Sequence, residues 1–400
     1  MKRIGLLPRI LLAIILGLIL GNFMPEWFVR AFATFNGIFN NYLSFVIPFI
    51  IIGFIVPGIA NMGRNAGKML GLSTALAYVS TFLAGLLAFF VGSWLLPIMT
   101  KGQSFQTTDN PEEFLQSGFF EVAMPPLMEV TTALIFAFVI GIGIASIKGN
   151  VLQDAFDEFQ KIVEKVITVT IIPLLPFHIF GVFQNMTYGG QVVNILSIFL
   201  KVFVLIIALH ITILLIQYTT AGTLHKQNPF KLLKTVLPAY FTAIGTQSSS
   251  ATIPVTLASV KKTTIRERVA DFCVPLFATI HLSGSAITLV TCSLGVLLLS
   301  GGDISFSAYL PFILMLGVTL VAAPGVPGGA VMAAIGIMEV MLGFNETMLS
   351  LMIALYLAQD SFGTATNVTG DGALSLIVDK FTKKDKNDEG DETDKNAQLV

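Results

Sequence analysis

The stretch QDSFGTATNVTGD, from Gln359 to Asp371, decides how this chain folds, because it places two carboxylates between apolar segments. Met348–Ala358 precedes it and Ala373–Val378 follows it, so the stretch is predicted to lie inside a membrane segment. A carboxylate in hydrocarbon costs several kcal/mol unless it faces a cavity, a partner or an ion. We therefore expect each of these two acids to face a cavity, a partner or an ion.

The helical period places the polar side chains of this stretch on one face, since successive residues rotate by about 100°. The face of a single helix then carries Asp360, Thr364, Asn367 and Asp371. Carboxylate and carbonyl oxygens suit hard cations, and a carboxylate can also hold an ammonium group. We interpret this as a binding face. The alternative is a structural polar seam between helices.

Composition places the chain in the membrane. Of 400 residues, 54% are hydrophobic and only 12% are charged, with a mean hydropathy of +0.81. No soluble domain of this length has that composition, and no stretch is typical of a water-soluble catalytic domain. The basic residues form no nucleic-acid stripe. Cys273 and Cys292 lie in apolar context, which favours buried thiols over a disulfide.

The prediction is an all-α polytopic membrane protein. Six apolar segments before residue 230 are long enough to span a bilayer: 7–23, 35–60, 70–98, 127–147, 163–183 and 192–218. With a cytoplasmic N-terminus, all but three of the 23 basic residues fall on the inner side, the exceptions being Arg30, Lys101 and Lys201. Both termini are therefore expected to be cytoplasmic, in a plasma (inner) membrane.

Two later segments are broken by Gly, Pro and Ser. The first, Ala243–Pro254, contains Ser248, Ser249 and Ser250, and the second is Ala322–Ala330. Their apolar arms are too short to cross, so each is predicted to be a re-entrant hairpin. Non-helical backbone at membrane depth survives only in protein or beside a wet cavity, and paired broken segments indicate a transporter's central site. The serines lack a nucleophile elbow, and are expected to donate to a carboxylate.

These residues resemble a known family, the dicarboxylate/amino acid:cation symporters, which include the archaeal aspartate and mammalian glutamate transporters. The matching signatures are the serine-rich first hairpin 248–256, the second hairpin 325–329 and the stretch 367–371. The resemblance implies eight transmembrane helices, two re-entrant hairpins and a homotrimer. It also implies an elevator movement, in which a transport domain slides past a scaffold and the second hairpin acts as a gate.

The resemblance also implies a division of the chain. Residues 1–229 would hold helices 1–6, which form the scaffold and part of the transport domain. Residues 230–381 would form the transport core, with the first hairpin, helix 7, the second hairpin and helix 8. Residues 382–400 are charged and lack aromatic residues, which is typical of a disordered cytoplasmic tail.

Roles follow position by position from the resemblance. Asp360 would hold the substrate's amino group, and Asn367 would contact the substrate carboxylate and give a carbonyl to sodium. Asp371 would ligate sodium. The remaining predicted substrate-binding residues are Ser248, Ser249, Ser250, Val326, Pro327, Gly328, Gly363 and Thr364. Sodium ions are the expected partner, with no organic cofactor.

Gly363 departs from the family pattern. It stands where acidic amino-acid transporters have an arginine that holds the substrate's side-chain carboxylate. The pattern is similar to the bacterial sodium/serine-threonine branch, so a small neutral amino acid such as serine, threonine or alanine is predicted. The alternative is an acidic amino acid or dicarboxylate, coupled to sodium or protons. A channel or a substrate sensor on the same scaffold is a further alternative, and no constellation supports an enzyme.

The segment after the first hairpin, where the family has a cation site, also departs from the family pattern. Where the family has Asn-Met-Asp-Gly-Thr, this chain has the segment His281-Leu282-Ser283-Gly284-Ser285. Ser283 replaces a sodium-ligating aspartate and His281 replaces an amide, so we expect an altered cation site and fewer coupled sodium ions. His281 is interpreted as a helix-contact residue, with a proton-sensitive group as the alternative.

Overall fold

The computed structural model describes residues 6–63, 68–100, 115–190, 192–321, 323 and 327–382, and every regular element among them is helical. The all-α prediction is therefore confirmed for the described part. In chain order the α-helices are α1 Leu6–Leu20, α2 Glu26–Gly63, α3 Lys68–Met99, α4 Val130–Ser146, α5 Val151–Val166, α6 Ile172–Tyr188, α7 Val192–His225, α8 Pro229–Thr246, α9 Ser249–Val260, α10 Glu267–Ile280, α11 Ser283–Leu299, α12 Phe306–Val321, α13 Gly329–Leu342, α14 Glu346–Leu357 and α15 Asp360–Phe381. A π-helical turn, Ile167–Ile171, joins α5 to α6.

Five helical stretches in the described part are long and apolar enough to cross a membrane. They are Glu26–Pro57, Met69–Met99, Val151–Tyr188, Leu196–His225 and Glu267–Leu299. Shorter apolar helices include Pro8–Leu20, Ile135–Ser146 and Glu346–Leu357. A multi-pass membrane protein is therefore confirmed, whereas the exact number of eight spans and the orientation of the termini stay predictions.

Two helix pairs coincide with the predicted hairpins, α8 with α9 and α12 with α13. Gln247 turns the first pair in a left-handed conformation (φ 53°), and Ser248 caps α9 by accepting from the Ala251 N–H at 3.3 Å. Gly328 (φ 77°) begins the helix of the second pair. Because φ is positive there, glycine is the favoured residue. Val326 lies outside the described residues.

Two other helices are interrupted halfway. α10 and α11 are separated at His281–Leu282, and α14 and α15 at Ala358–Gln359. The apolar run before the polar stretch therefore belongs to a different helix from the binding face, because the chain breaks at Gln359 (φ −122°, ψ −5°). Each break leaves the first backbone N–H groups of a helix without intrahelical partners. Asp360 sits at one of these helix starts.

α15 is the most enclosed of these helices, being buried from Asp360 to Asp379 except at the half-buried Phe362. It packs against α7, α8, α10 and α11. Its polar face is thus held between helices rather than exposed to lipid. The division of the chain into scaffold and transport domains stays a prediction, and the predicted tail from residue 383 lies outside the described residues.

Candidate functional site

The helix interruptions and the hairpin tips meet around one cavity of about 60 Å³. Its described lining comes from both hairpins and from the helix ends beside the two breaks. The lining residues are Gln247, Ser249, Ser250, Ala278, Thr279, Leu282, Ser285, Ala323, Ala330, Tyr356, Asp360, Thr364 and Asn367. Hydroxyls, amides and one carboxylate converge there. This is the arrangement of a site for a small polar ligand.

Asp360 is the charged group of this cavity and is only 5% exposed. Its Oδ2 accepts a hydrogen bond from the backbone N–H of Gly328 at 2.7 Å, which joins the acid to the tip of the second hairpin. Tyr356 and Thr364, which carry hydroxyls, line the same cavity as the carboxylate. A buried carboxylate is thereby held by neutral donors alone, and it retains its capacity for a cationic ligand.

The serine triplet divides into two roles. Ser249 and Ser250 line the cavity at the first turn of α9. The Ser248 side chain instead accepts the hydrogen bond that caps this helix. Helix starts favour anions because their N–H groups are unsatisfied and the helix dipole is positive there. The first hairpin therefore presents hydroxyls and a helix N-terminus to the cavity.

Asn367 ties α15 to α11. Its Oδ1 accepts from the backbone N–H groups of Gly284 at 2.8 Å and Ser285 at 3.2 Å, and its Nδ2 donates to Ser285 Oγ at 2.9 Å. Gly284 packs directly against the backbone oxygen of Gly363, and a Cβ at residue 284 would overlap that atom. The two helices therefore approach at backbone distance beside the cavity.

Gly363 faces α11 rather than the open cavity. A Cβ built there would lie 3.4 Å from Thr288 Oγ1, an ordinary contact. Thr288 Oγ1 in turn lies 3.2 Å from Nε2 of the buried His210. Among the described lining residues there is no Lys, Arg or His. Arg266 is not among these lining residues, and its Nε donates to Asp379 Oδ1 at 2.7 Å.

His281 and Asp371 form a second cluster next to the first. Nδ1 of His281 lies 2.8 Å from Oδ1 of Asp371, and both side chains are buried. Nε2 of His281 lies 3.1 Å from Ser80 Oγ. Gln217 Nε2 donates to Ser80 Oγ at 3.0 Å and to Ser283 Oγ at 3.3 Å. The residues predicted to form an altered cation site are therefore neighbours.

The structure places five of the residues that were predicted to bind substrate around one cavity. Ser249, Ser250, Asp360, Thr364 and Asn367 line one cavity, and Gly328 contacts Asp360. Ser248, Pro327 and Gly363 are not among the described lining residues. The prediction missed Tyr356 and Gln217. Gln217 carried a readable signal, since it is an amide within an apolar run, whereas Tyr356 is an ordinary residue in an apolar helix.

Comparison with known proteins decides the family. The model of the sodium:dicarboxylate symporter family matches residues 6–381. The chain belongs to this family. Its members are transporters rather than enzymes, so the membership supports a sodium-coupled symporter embedded in a membrane.

Several relatives of this chain are named excitatory amino acid transporters. One from Ambystoma tigrinum, excitatory amino acid transporter 1, is 26% identical over 62% of this chain and 47% of its own. An excitatory amino acid transporter of Caenorhabditis elegans is 26% identical over 64% of this chain and 52% of its own. Excitatory amino acid transporter 3 of Mus musculus is 24% identical over 72% and 54%. The chain spans about half the length of these relatives.

The family assignment confirms the resemblance, but not its finer part. Neither the serine/threonine branch nor a small neutral substrate finds support in these relatives. The family description and the relatives' names favour the alternative, an acidic amino acid or a dicarboxylate. Sodium as the coupled ion is supported, and the smaller number of coupled sodium ions stays a prediction.

Proposed function

We propose that this chain is a sodium-coupled symporter that imports an amino acid through the cavity at the hairpin tips. The observation that carries the proposal is Asp360, a buried carboxylate in a cavity whose other polar side chains are hydroxyls and amides. A carboxylate in this position pairs with the substrate's ammonium group by a charge-assisted hydrogen bond. An amino acid supplies that cation, and its charge offsets the cost of burying the acid.

The substrate's α-carboxylate is assigned to the other polar groups of the cavity. Ser249 and Ser250 offer hydroxyls at the start of α9, where backbone N–H groups are also free of intrahelical partners. Asn367 keeps a second Nδ2 hydrogen for the ligand, because only one is used by Ser285. The ammonium group of an amino acid is thus met by a carboxylate, and its α-carboxylate is met by neutral hydrogen-bond donors and a helix start.

Coupling is proposed to pass through α15 and the second hairpin. Asp360 and Asp371 lie on this one helix, and the tip of the second hairpin rests on Asp360 through Gly328. If sodium and substrate both bind better when this hairpin is closed, each favours the state that binds the other. We further propose that the hairpin acts as the gate of an elevator-type transport domain, in a homotrimer of a plasma membrane.

The substrate side chain has two candidates. The family and the relatives' names favour an acidic substrate, and the first candidate is an acidic amino acid, which also has the ammonium group that Asp360 would bind. One observation favours a small neutral amino acid as the second: no described residue of the cavity lining is cationic, and Gly363 offers no side chain. A second carboxylate would then rely on neutral donors.

Uptake into proteoliposomes tests the proposal. Labelled aspartate, a labelled dicarboxylate and labelled serine are each supplied with and without an inward sodium gradient. Sodium-driven uptake of aspartate supports the first candidate, and sodium-driven uptake of serine alone supports the second. Sodium-driven uptake of the dicarboxylate alone would contradict the role given to Asp360 as the partner of an ammonium group. Uptake of all three that is indifferent to sodium would overturn sodium-coupled symport.

The variant Gly363→Arg separates the two candidates further, with Gly363→Ala as its matched control. A Cβ fits at this position without overlap, so the alanine variant is expected to keep wild-type selectivity. A guanidinium that reaches the cavity would add charge-assisted bonds of about 1.5–3 kcal/mol. The ratio of acidic to neutral uptake should then rise roughly tenfold to a hundredfold. An unchanged ratio in Gly363→Arg would contradict the idea that the side chain at residue 363 decides between the two candidates.

A further inference from the structure

The imidazole of His281 occupies the position next to Asp371 where a buried acid would otherwise need a cation. Nδ1 lies 2.8 Å from Oδ1 of Asp371, and His281 and Asp371 are 1% and 0% exposed. The ring is pressed against α15 at Gly370, since a Cβ there would lie 2.9 Å from Cε1 of His281. The glycine therefore makes room for the ring at this exact turn of the helix.

The imidazole ring of His281 also has a hydrogen-bond partner at its other nitrogen, Nε2. Ser80 Oγ lies 3.1 Å from Nε2, and Gln217 Nε2 donates to that same serine oxygen at 3.0 Å. With Ser80 Oγ accepting from Gln217, its own hydrogen points to Nε2, and Nδ1–H points to Asp371. Three helices, α3, α7 and α15, thus fix a ring that stands at the interruption between α10 and α11.

Two oxygens of this cluster stay without a hydrogen bond among the described residues. They are Oδ2 of Asp371 and Oε1 of Gln217, and both are buried. Buried polar atoms are nearly always paired, so an orphaned carboxylate oxygen calls for a ligand. Oxygen atoms are what a hard cation such as sodium prefers, whereas a ring N–H is not a ligand for it at all.

We propose that His281 sets the sodium affinity of this transporter by taking one oxygen of Asp371 away from the ion. The acid is left with Oδ2 alone for sodium, and the imidazole N–H supplies the interaction that a cation would make at Oδ1. This inference rests on the proposed sodium-coupled function. His281 would then determine how much sodium the transporter needs for binding, and it would act through Asp371 rather than by contact with the substrate.

The test measures the unfolding temperature of the purified full chain in detergent at a series of sodium concentrations. Choline keeps the ionic strength constant. The variant His281→Asn removes the ring and offers an amide oxygen beside the freed Oδ1. The sodium concentration that gives half of the thermal shift should fall roughly tenfold or more. Ser80→Ala leaves the imidazole in place but removes its tether at Nε2, and should shift the titration in the same direction by less.

His225→Asn is the matched control. Its Nε2 contacts the Leu376 backbone oxygen at 2.8 Å, so the variant removes a histidine bonded to the same helix but away from Asp371. Its sodium titration should equal that of the wild type. If His281→Asn and Ser80→Ala both leave the titration unchanged while wild-type uptake is sodium-driven, the inference alone is overturned. Wild-type uptake that ignores sodium would overturn the proposed function itself.

Discussion

The contact between Gly328 and Asp360 makes the tip of the second hairpin part of the proposed substrate site. The Gly328 N–H donates to Asp360 Oδ2 at 2.7 Å, and the residue adopts φ 77°. A Cβ at this position would lie 2.8 Å from Cδ2 of Leu357. Gly328→Ala therefore adds both backbone strain and a steric contact at the point where the hairpin closes on the acid.

The two costs can be estimated separately. A left-handed conformation costs an L-residue about 1–2 kcal/mol relative to glycine. Moving the Leu357 methyl off its rotamer costs about 0.5–1.5 kcal/mol. The closed hairpin should thus be destabilised by about 1.5–3.5 kcal/mol, which reduces its population relative to open forms roughly 10- to 400-fold. Because the proposed substrate binds under the closed tip, its apparent affinity should fall by a similar factor.

The assay is substrate affinity, measured as the concentration dependence of uptake and of thermal stabilisation. Gly343→Ala is the matched control, because Gly343 has a similar φ of 68° but open space around its Cβ. Both variants should lower thermal stability, and only Gly328→Ala should weaken the substrate. Equal affinities in the two variants would refute the placement of the hairpin tip over Asp360.

Two further variants probe the charged groups of the described chain. Asp360→Asn keeps an acceptor for the Gly328 N–H but loses the charge that would bind an ammonium group. Substrate affinity should therefore fall by roughly a hundredfold, with little change in thermal stability. Unchanged affinity would contradict the role given to Asp360. Arg266→Ala strands the Asp379 carboxylate, which is 9% exposed and bound to Arg266 at 2.7 Å, and should cost about 3 kcal/mol of unfolding free energy. Adding Asp379→Asn to Arg266→Ala should recover part of the lost unfolding free energy, as measured by chemical denaturation. A double variant that is no more stable than Arg266→Ala would argue against the ion pair.

The sequence alone indicated the class of the protein and predicted the residues of its site. Hydropathy indicated a membrane chain, because the average over a span does not depend on how helices pack. The helical period placed Asp360, Thr364, Asn367 and Asp371 on one face, since the spacing within one helix is local. Gly, Pro and Ser likewise marked the hairpin tips, where the chain cannot continue a helix.

Contacts between helices were decided only by the tertiary structure. His281 and Asp371 are 90 residues apart, and Gln217 and Ser80 approach them from two further helices. The sequence showed that His281 replaced an amide, but not that its ring would reach the acid. Nor could it show that Gly328 rests on Asp360. Periodicity fixes directions within a helix, whereas distances between side chains of different helices depend on how close their backbones pack.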